Sequence, residues 1–336
     1  MRSLYQLKGR HPRFRIDGQC VATTATDCDL SWVYDMNGKE RYSLSGRFPC
    51  FSHDNRHIAT TSVDDDLSWV YDTDELRLYN LRGRFPCFSH DGQLIATTAK
   101  DDDLSWIYSR AGQKLCTLPG RYPCFSNDGM FIATTSASSS TSWVHTATGQ
   151  QLSTMQGRGP QFSHDSQRIT THSVSEDRSW VYNVQGQKLY QLQGSSPRFS
   201  ENGQQIATTS DSSDRSRIYN MSGRELYQLP GIDPHFSTDG QRIATYSYSP
   251  DEEISWIFSA TGQELCELSG SNPCLSENNQ WVLTSAATEQ LVRLYDWNGD
   301  RIATYPGTNA LFTPDQQRLI LTSVQDQRLE VWAIAS

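Results

Sequence analysis

The sequence predicts an all-β protein, a single closed β-propeller of nine four-stranded blades, and three observations predict this fold. A unit with four short β-forming runs recurs along the whole chain of 336 residues. A proline opens the first run in eight of the units. The run that the last unit lacks stands at the N-terminus instead. Repetition at a period of a few tens of residues is typical of solenoids and propellers, and four short runs in each unit favour a propeller.

The unit at residues 83–120 shows the pattern well. Phe85–Ser89 is predicted as strand a and Leu94–Ala99 as strand b, and a His-Asp-Gly-Gln turn separates them. The Asp side chain can bond to its own backbone in such a turn, and Gly supplies a positive φ. Leu104–Tyr108 is predicted as strand c, because it is rich in large β-forming residues. An Arg-Ala-Gly turn then leads to strand d at Lys114–Leu118.

The spacing of the prolines gives the number of blades. Proline cannot donate to a β-ladder, so the start of a strand is a position that tolerates it. Successive prolines are 37 residues apart, except for one step of 39 that follows a longer loop before Ile254. Ala310 holds the equivalent place in the ninth unit. The prolines are Pro12, Pro49, Pro86, Pro123, Pro160, Pro197, Pro234 and Pro273.

The N-terminus is predicted to complete the last blade. The ninth unit ends after strand c, whereas Ser3–Gly9 closely repeats the strand d segment Glu225–Gly231. Pairing the two ends of the chain would remove an exposed strand edge. We therefore predict one domain over residues 1–336, in which residues 1–9 form the outer strand of the last blade. The predicted blades cover residues 10–46, 47–83, 84–120, 121–157, 158–194, 195–231, 232–270 and 271–307, and the last one residues 308–336 with residues 1–9.

Several motifs resemble the WD-repeat β-propeller family, in particular its bacterial members, and the resemblance covers the whole chain. The matching segments are Phe88–Gly92, Val292–Asp296 and Leu329–Trp332. The family's Gly-His before strand a is Gly-Arg here, and its Trp-Asp is mostly Tyr-Asp or Tyr-Asn. The units are also shorter than the family's usual length of about 40–45 residues. These departures replace the His and the Trp of the buried His–Asp–Trp hydrogen-bond network that is typical of the family.

Composition argues against several classes of function. The net charge is −9, whereas a protein that binds nucleic acid usually carries a basic face. No apolar run is long enough to span a membrane, and the first residues lack the apolar core of a signal peptide. The eight cysteines contain no C-x-x-C pair, and four of them share one position of strand a, which indicates packing of reduced thiols. We therefore predict a cytoplasmic protein, and we expect no nucleic acid, membrane, metal or cofactor.

Two charged sets are expected on one face of the ring, because in the WD-repeat family the d-to-a and b-to-c connections share the top face. One interpretation is that the two sets pair with each other and shape the rim. The other is an asymmetric docking face over blades 1–5, called the charged face below. Its arginines follow the closing Gly of a blade, and its aspartates lie in b-to-c loops. The residues are Arg10, Arg47, Arg84, Arg121 and Arg158, with Asp64, Asp65, Asp66, Asp101, Asp102 and Asp103.

Tryptophan recurs at one position near the start of strand c. Packing between blades is one interpretation, since aromatic side chains dominate such burial. A sugar- or peptide-binding pocket that is repeated in each blade is the other, as in propeller lectins. The residues are Trp32, Trp69, Trp106, Trp143, Trp180 and Trp256.

No motif for catalysis or metal binding stands out. The acidic loops lack the EF-hand pattern, and no nucleophile-elbow, H-E-x-x-H or P-loop string occurs. His53, His90 and His164 share the a-to-b turn, where we interpret them as turn residues. The resemblance implies a non-catalytic scaffold that binds a protein partner. We expect the ring to be monomeric. A lectin-like binder is the first alternative, and an enzyme with its site in the channel is the second.

Overall fold

The fold is a nine-bladed β-propeller of four-stranded antiparallel sheets, as the sequence predicts. The computed structural model describes residues 3–73, 77–173, 175–210, 213–247, 249, 253–324 and 328–334. These residues form thirty-six strands and no helix. Four residues of the longer loop before Ile254, at positions 248 and 250–252, lie outside the described part of the chain.

The N-terminal strand β1 (Tyr5–Leu7) belongs to the sheet of the last blade. It pairs with the third strand of that blade, and Leu4 N donates a hydrogen bond of 2.7 Å to Val331 O. The side chain of Leu7 is 1% exposed. The prediction that the two ends of the chain share one blade is therefore confirmed.

The chain divides into two compact units. The first comprises Leu7–Thr171 and Tyr182–Leu189, and it contains blades 1 to 4. In each blade the four strands pair in chain order. Their strands are β2 (Arg10–Phe14), β3 (Cys20–Thr24), β4 (Leu30–Asp35) and β5 (Glu40–Ser45); β6 (Arg47–Phe51), β7 (His57–Thr61), β8 (Leu67–Asp72) and β9 (Arg77–Arg82); β10 (Arg84–Phe88), β11 (Leu94–Thr98), β12 (Leu104–Ser109) and β13 (Lys114–Pro119); β14 (Arg121–Phe125), β15 (Phe131–Thr135), β16 (Thr141–Thr146) and β17 (Gln151–Gln156).

The second unit comprises Met1–Gln6, His172–Val181 and Tyr190–Ser336, so the division runs through blade 5. Blade 5 consists of β18 (Arg158–Phe162), β19 (Arg168–His172), β20 (Arg178–Asn183) and β21 (Lys188–Gln193). The strands of blades 6 to 9 are β22 (Ser195–Phe199), β23 (Gln205–Thr209), β24 (Arg215–Asn220) and β25 (Glu225–Pro230); β26 (Ile232–Phe236), β27 (Arg242–Tyr246), β28 (Ile254–Ser259) and β29 (Glu264–Ser269); β30 (Ser271–Leu275), β31 (Trp281–Ala286), β32 (Leu291–Asp296) and β33 (Arg301–Pro306); β34 (Thr308–Phe312), β35 (Arg318–Thr322) and β36 (Leu329–Ala333).

The core lies between successive blades, and blade 3 shows why. Strand β11 is buried along almost its whole length, whereas the outer strand β13 buries one side chain, Leu118, and exposes most of the others. Ala96, Ile107 and Leu118 of blade 3 pack with Ile132 of blade 4 in one cluster. The two inner strands of a blade are therefore covered on both faces, which explains their small and β-branched composition.

The predicted a-to-b turn is present in blade 3. Ser89 Oγ donates to Asp91 Oδ1 at 2.6 Å, and the same oxygen accepts the backbone N–H of Gln93 at 3.0 Å. The side chain of Asp91 therefore closes the turn as the sequence predicts.

Candidate interaction face

Hydroxyl groups form hydrogen bonds across the seam, which is the contact between strand d of one blade and strands b and c of the next blade. Thr97 Oγ1 and Tyr108 Oη of blade 3 both donate to Arg82 O of blade 2, at 2.7 and 3.0 Å. Ser105 Oγ donates to Gly120 O within blade 3 at 2.8 Å. Strand d of one blade is thereby tied to strands b and c of the next. The seam repeats, so it provides a fixed frame for the loops.

In blades 1–4 and 6–9, strand a begins with a β-bulge that the sequence did not reveal. In blade 3, Arg84 pairs with Thr98 and Cys87 with Ala96, so the strand holds one extra residue. Phe85 takes up this bulge with φ of 52°, and its N–H donates to Thr61 Oγ1 of the preceding blade at 2.6 Å. The residue before the proline or its equivalent has a positive φ in all nine blades. These residues are His11, Phe48, Phe85, Tyr122, Gly159, Ser196, Asp233, Asn272 and Asn309.

The arginines of the charged face stand directly before these bulge residues and are half-buried. In blades 2, 3 and 4 the guanidinium lies over the ring of the next residue, at 5.3 Å for Arg47 and Arg84 and 5.6 Å for Arg121. Such distances are typical of cation–π contacts. Arg10, which opens β2, pairs in register with Thr24.

Two of the arginines also hold the b-to-c loop of the preceding blade. Arg121 Nη2 donates to Lys100 O at 3.1 Å, and Arg158 Nη2 donates to Ser136 O at 2.9 Å. Arg121 is thereby fixed to the loop that carries the aspartates of blade 3. The guanidinium groups of Arg121 and Arg158 are therefore held by backbone carbonyls, while part of each side chain stays exposed.

The described part of the chain contains no ion pair between a carboxylate and Arg47, Arg84, Arg121 or Arg158. The ion pairs of this region involve other arginines, such as Arg82 with Asp66 at 3.3 Å. The buried Nε atoms of Arg47, Arg84 and Arg121 also have no hydrogen-bond partner among the described residues. The arrangement thus leaves their positive charge uncompensated at short range.

The structure separates the third aspartate of each triplet from the first two. Asp66 O accepts the N–H of Gly83 at 2.9 Å, and Asp66 Oδ1 accepts the N–H of Lys100 in the next blade at 2.9 Å. Asp103 repeats this arrangement, with Oδ1 accepting the N–H of Ala137 at 3.0 Å. The third aspartate therefore links two blades. The sequence signal for this role is an acidic residue that recurs directly before strand c. It occurs at Asp29, Asp66, Asp103, Asp177, Asp214 and Glu253.

The first two aspartates of each triplet are exposed. The backbone oxygen of Asp64 accepts a hydrogen bond of 2.6 Å from Lys100 Nζ. The N–H of Asp65 donates to Ser62 Oγ at 3.1 Å. The side chains of both residues are open to solvent, and the side chains of Asp101 and Asp102 are exposed in the same way.

The tryptophans lie in the seams between blades. A Cβ atom on Gly83 would stand 2.9 Å from Trp106 Cε3, so the ring packs directly on the glycine that closes the preceding blade. Trp69 and Trp143 pack in the same way on Gly46 and Gly120. Trp106 and Trp180 are 3% exposed, and the other four members of the set are half-buried. This geometry supports the packing interpretation.

The cysteines at the shared position of strand a are also packing residues. Cys50 Sγ donates to Pro86 O of the next blade at 2.9 Å, and Cys87 and Cys124 make the equivalent contact at 3.3 Å. Burial raises the pKa of Cys50 and Cys124 to about 12, and it also raises the pKa of Cys87. All eight cysteines are free thiols. Thiols that are protonated and buried are poor nucleophiles and poor metal ligands.

The a-to-b turns carry a small cavity of about 250 Å³. His53 and His90 lie at its edge with ring centres 4.4 Å apart, and burial together with His90 lowers the pKa of His53. Among the residues that the structure describes, no group of three or more His, Cys, Asp or Glu side chains could hold a metal ion. No described segment forms a helix that is long and apolar enough to cross a membrane.

Comparison with known proteins shows the fold alone. The sequence matches no protein-family model and no curated protein. A crystal structure of a eukaryotic initiation factor is similar with a TM-score of 0.71 and 14% identity, over 91% of both chains. The C-terminal WD40 domain of Sif2 has a TM-score of 0.59 and 14% identity, over 84% of this chain and 93% of that domain.

An enzyme is also among the similar structures. The dihydro-heme d1 dehydrogenase NirN has a TM-score of 0.55 and 15% identity, over 86% of this chain and 72% of its own. The chain therefore resembles in fold both WD40 β-propellers and part of a protein that is named as a dehydrogenase. One fold can carry several functions, so the shared fold does not determine what this chain does.

Proposed function

We propose that this chain is a non-catalytic, WD-repeat-type scaffold that binds a protein partner through its charged face. One observation carries the proposal. Within the described part of the chain, the arginines of blades 2, 3 and 4 have no carboxylate at ion-pair distance, although exposed aspartates stand in neighbouring loops. A partner with complementary charge can supply the missing interaction.

The position of the charges supports the same function. Blades 6 to 9 have Ser195, Ile232, Ser271 and Thr308 where blades 1 to 5 have arginine. The seam hydroxyls recur in both halves, as Thr97 does in blade 3 and Thr284 in blade 8. The seam hydrogen bonds thus repeat around the chain, whereas the arginines occur only in blades 1 to 5. A charge distribution of this kind is suited to an asymmetric partner. The charged face lies within the first compact unit.

The proposal includes the setting in which the protein works. We expect a monomeric ring of 38.0 kDa in the cytoplasm, with its thiols reduced. Light scattering after size exclusion measures the mass in solution. A mass of twice this value would contradict the monomer.

The test removes the charge and measures binding. The variant Arg47→Ala, Arg84→Ala, Arg121→Ala is compared with a control that removes three exposed arginines of other blades, Arg215, Arg224 and Arg301. Both variants have the same net charge. Proteins captured from a cytosolic extract of the source organism are identified, and association rates of the captured protein are measured at several salt concentrations.

We expect the first variant to associate more slowly and with a weaker salt dependence, because charges at the rim of an interface mainly affect association. The control variant should associate like the wild-type protein. If both variants associate alike, the arginines do not form a docking face.

A further inference from the structure

The bulge residues of blades 1 to 4 are unusual for the backbone conformation that they adopt. Their φ angles lie between 50° and 53°, a left-handed region that Gly, Asn and Asp tolerate best. Blades 5, 7, 8 and 9 have such residues at this position, for example Asn272 with φ of 51°. Blades 1 to 4 have His11, Phe48, Phe85 and Tyr122 instead. Bulky side chains that persist in a strained conformation point to a function.

The bulky bulge residues are also exposed and adjacent. Phe48, Phe85 and Tyr122 are 39, 40 and 57% exposed. The ring centres of His11 and Phe48 are 6.4 Å apart, and those of Phe48 and Phe85 are 5.9 Å apart. The four bulge residues form, with Arg47, Arg84 and Arg121, what we call the aromatic strip. A row of exposed aromatic side chains on a protein surface marks an interaction site.

The charges of the strip select the partner's chemistry. Each of the three guanidinium groups lies beside an apolar ring and lacks a carboxylate partner among the described residues. This combination suits an acidic residue that is flanked by apolar side chains. Aromatic residues and arginine are also the residue types that contribute most to binding in protein interfaces.

The exposed aspartates beside the strip argue for a peptide rather than a nucleic acid. Arg121 is hydrogen-bonded to the loop that carries Asp101 and Asp102, and the loop of blade 2 exposes Asp64 and Asp65. These carboxylates would repel the phosphates of a nucleic acid, which bear one charge per nucleotide. A peptide can place its acidic groups only at the arginines.

The spacing of the rings fits an extended chain. Strand residues rise about 3.3 Å each, so side chains two residues apart on one face are separated by about 6.6 Å. The ring separations of 6.4 and 5.9 Å are close to this repeat. Successive rings can therefore receive alternate side chains of one extended segment.

We infer that the aromatic strip binds an extended acidic peptide segment in which apolar and acidic side chains alternate along the face that meets the strip. The inference rests on the proposed function, because it names the partner chemistry of the charged face.

The test uses synthetic probes on the intact chain. A fluorescein-labelled peptide of eight residues that repeats Leu-Leu-Glu-Glu, so that Leu and Glu alternate along each face, is titrated by fluorescence anisotropy. A peptide that repeats Leu-Leu-Lys-Lys and a ten-nucleotide dT strand serve as comparisons. The variant Phe48→Asn, Phe85→Asn introduces the residue that blades 8 and 9 have. The matched control is Asn272→Ala, Asn309→Ala at the equivalent positions of those blades.

We expect the acidic peptide to bind at least tenfold more tightly than the basic peptide. The Phe48→Asn, Phe85→Asn variant should weaken this binding at least tenfold, and the Asn control should leave it unchanged. The melting temperature of the Phe variant should stay within a few degrees of the wild-type value, because Asn suits the left-handed backbone.

Three results would overturn the inference. They are equal binding of the acidic and basic peptides, tighter binding of the dT strand, and unchanged peptide binding by the Phe variant. If these occur while the triple Arg variant still loses its captured partner, the peptide chemistry is wrong and the docking face stands. If the peptide binds as expected but the triple Arg variant keeps its captured partner, the docking face is wrong and the strip stands.

Discussion

His145 is predicted to make the protein sensitive to acid. Its side chain is 1% exposed, and neither ring nitrogen makes a well-formed hydrogen bond to the described part of the chain. Most other blades have Tyr at this position of strand c, and Tyr108 uses its hydroxyl to bond to Arg82 O at 3.0 Å. Burial lowers the pKa of His145 to about 4, and the nearby backbone of Ile132 offsets this only in part. The imidazole is therefore neutral in the folded protein at neutral pH.

The sign and size of the effect follow from this pKa. In the unfolded chain a histidine has a pKa of about 6.5, so the unfolded state binds the proton more strongly than the folded state. The contribution of neutral His145 to the free energy of unfolding is fully present above pH 6.5. This contribution is lost as the pH falls from 6.5 to about 4. This difference in pKa corresponds to a loss of about 3 kcal/mol in the free energy of unfolding.

The substitution His145→Tyr tests this reasoning. Thr134 Oγ1 already donates to Pro119 O at 2.6 Å, as Thr97 does to Arg82 O, so a Tyr hydroxyl would have the same carbonyl as acceptor. Urea unfolding of both proteins is measured at several pH values between 7.5 and 4. We expect the variant to gain about 3 kcal/mol relative to the wild-type protein over this range.

The difference between the two proteins separates this effect from general acid sensitivity. Wild type and His145→Tyr share every other group that titrates between pH 7.5 and 4, so general acid sensitivity cancels in their difference. If the difference between wild type and His145→Tyr stayed constant from pH 7.5 to 4, His145 would not be the acid-sensitive group.

Three further changes test the roles of the N-terminal strand, the acidic loops and the closing glycines. Deleting residues 1–9 removes the buried Leu7, worth about 1.5–3 kcal/mol, and should raise hydrogen exchange most in blade 9; unchanged exchange there would refute the shared blade. Asp103→Ala removes two hydrogen-bond acceptors and should lower the free energy of unfolding in urea by about 2 kcal/mol. The control Asp102→Ala should leave the free energy of unfolding almost unchanged. Equal losses would show that Asp103 does not link two blades. Gly83→Ala should lower the melting temperature far more than Gly203→Ala, since both have positive φ but only the first would meet side-chain atoms; equal effects would exclude the clash.

The sequence predicts the parts of the fold that depend on local order. The proline spacing and the match between Ser3–Gly9 and Glu225–Gly231 are sufficient for nine blades and the shared last blade. Turn residues such as Asp91 also act within a few positions of their own backbone. These features need no knowledge of which blade packs on which.

The interblade contacts could not be predicted in the same way. Asp66 and Asp65 are identical neighbours in the sequence, yet it is Asp66 that accepts the N–H of Lys100 in the next blade. The left-handed φ of Phe85 arises from a bulge whose N–H bonds to Thr61, 24 residues earlier. Such contacts depend on the register between strands and on the packing of blades, which the local residue pattern does not contain.

The comparison among blades separates structural demands from demands made by a partner. All nine blades adopt nearly the same φ before the proline or its equivalent, so the backbone makes the same demand at each of these positions. Asn272 and Asn309 meet that demand with residues that suit it, whereas Phe48 and Phe85 do not. At the seams, in contrast, the same structural role is met by the same residue type. Thr97 and Thr284 make equivalent hydrogen bonds, and both are Thr. The aromatic residues are therefore not required by the fold, and an interaction outside the chain is the explanation that we propose for them.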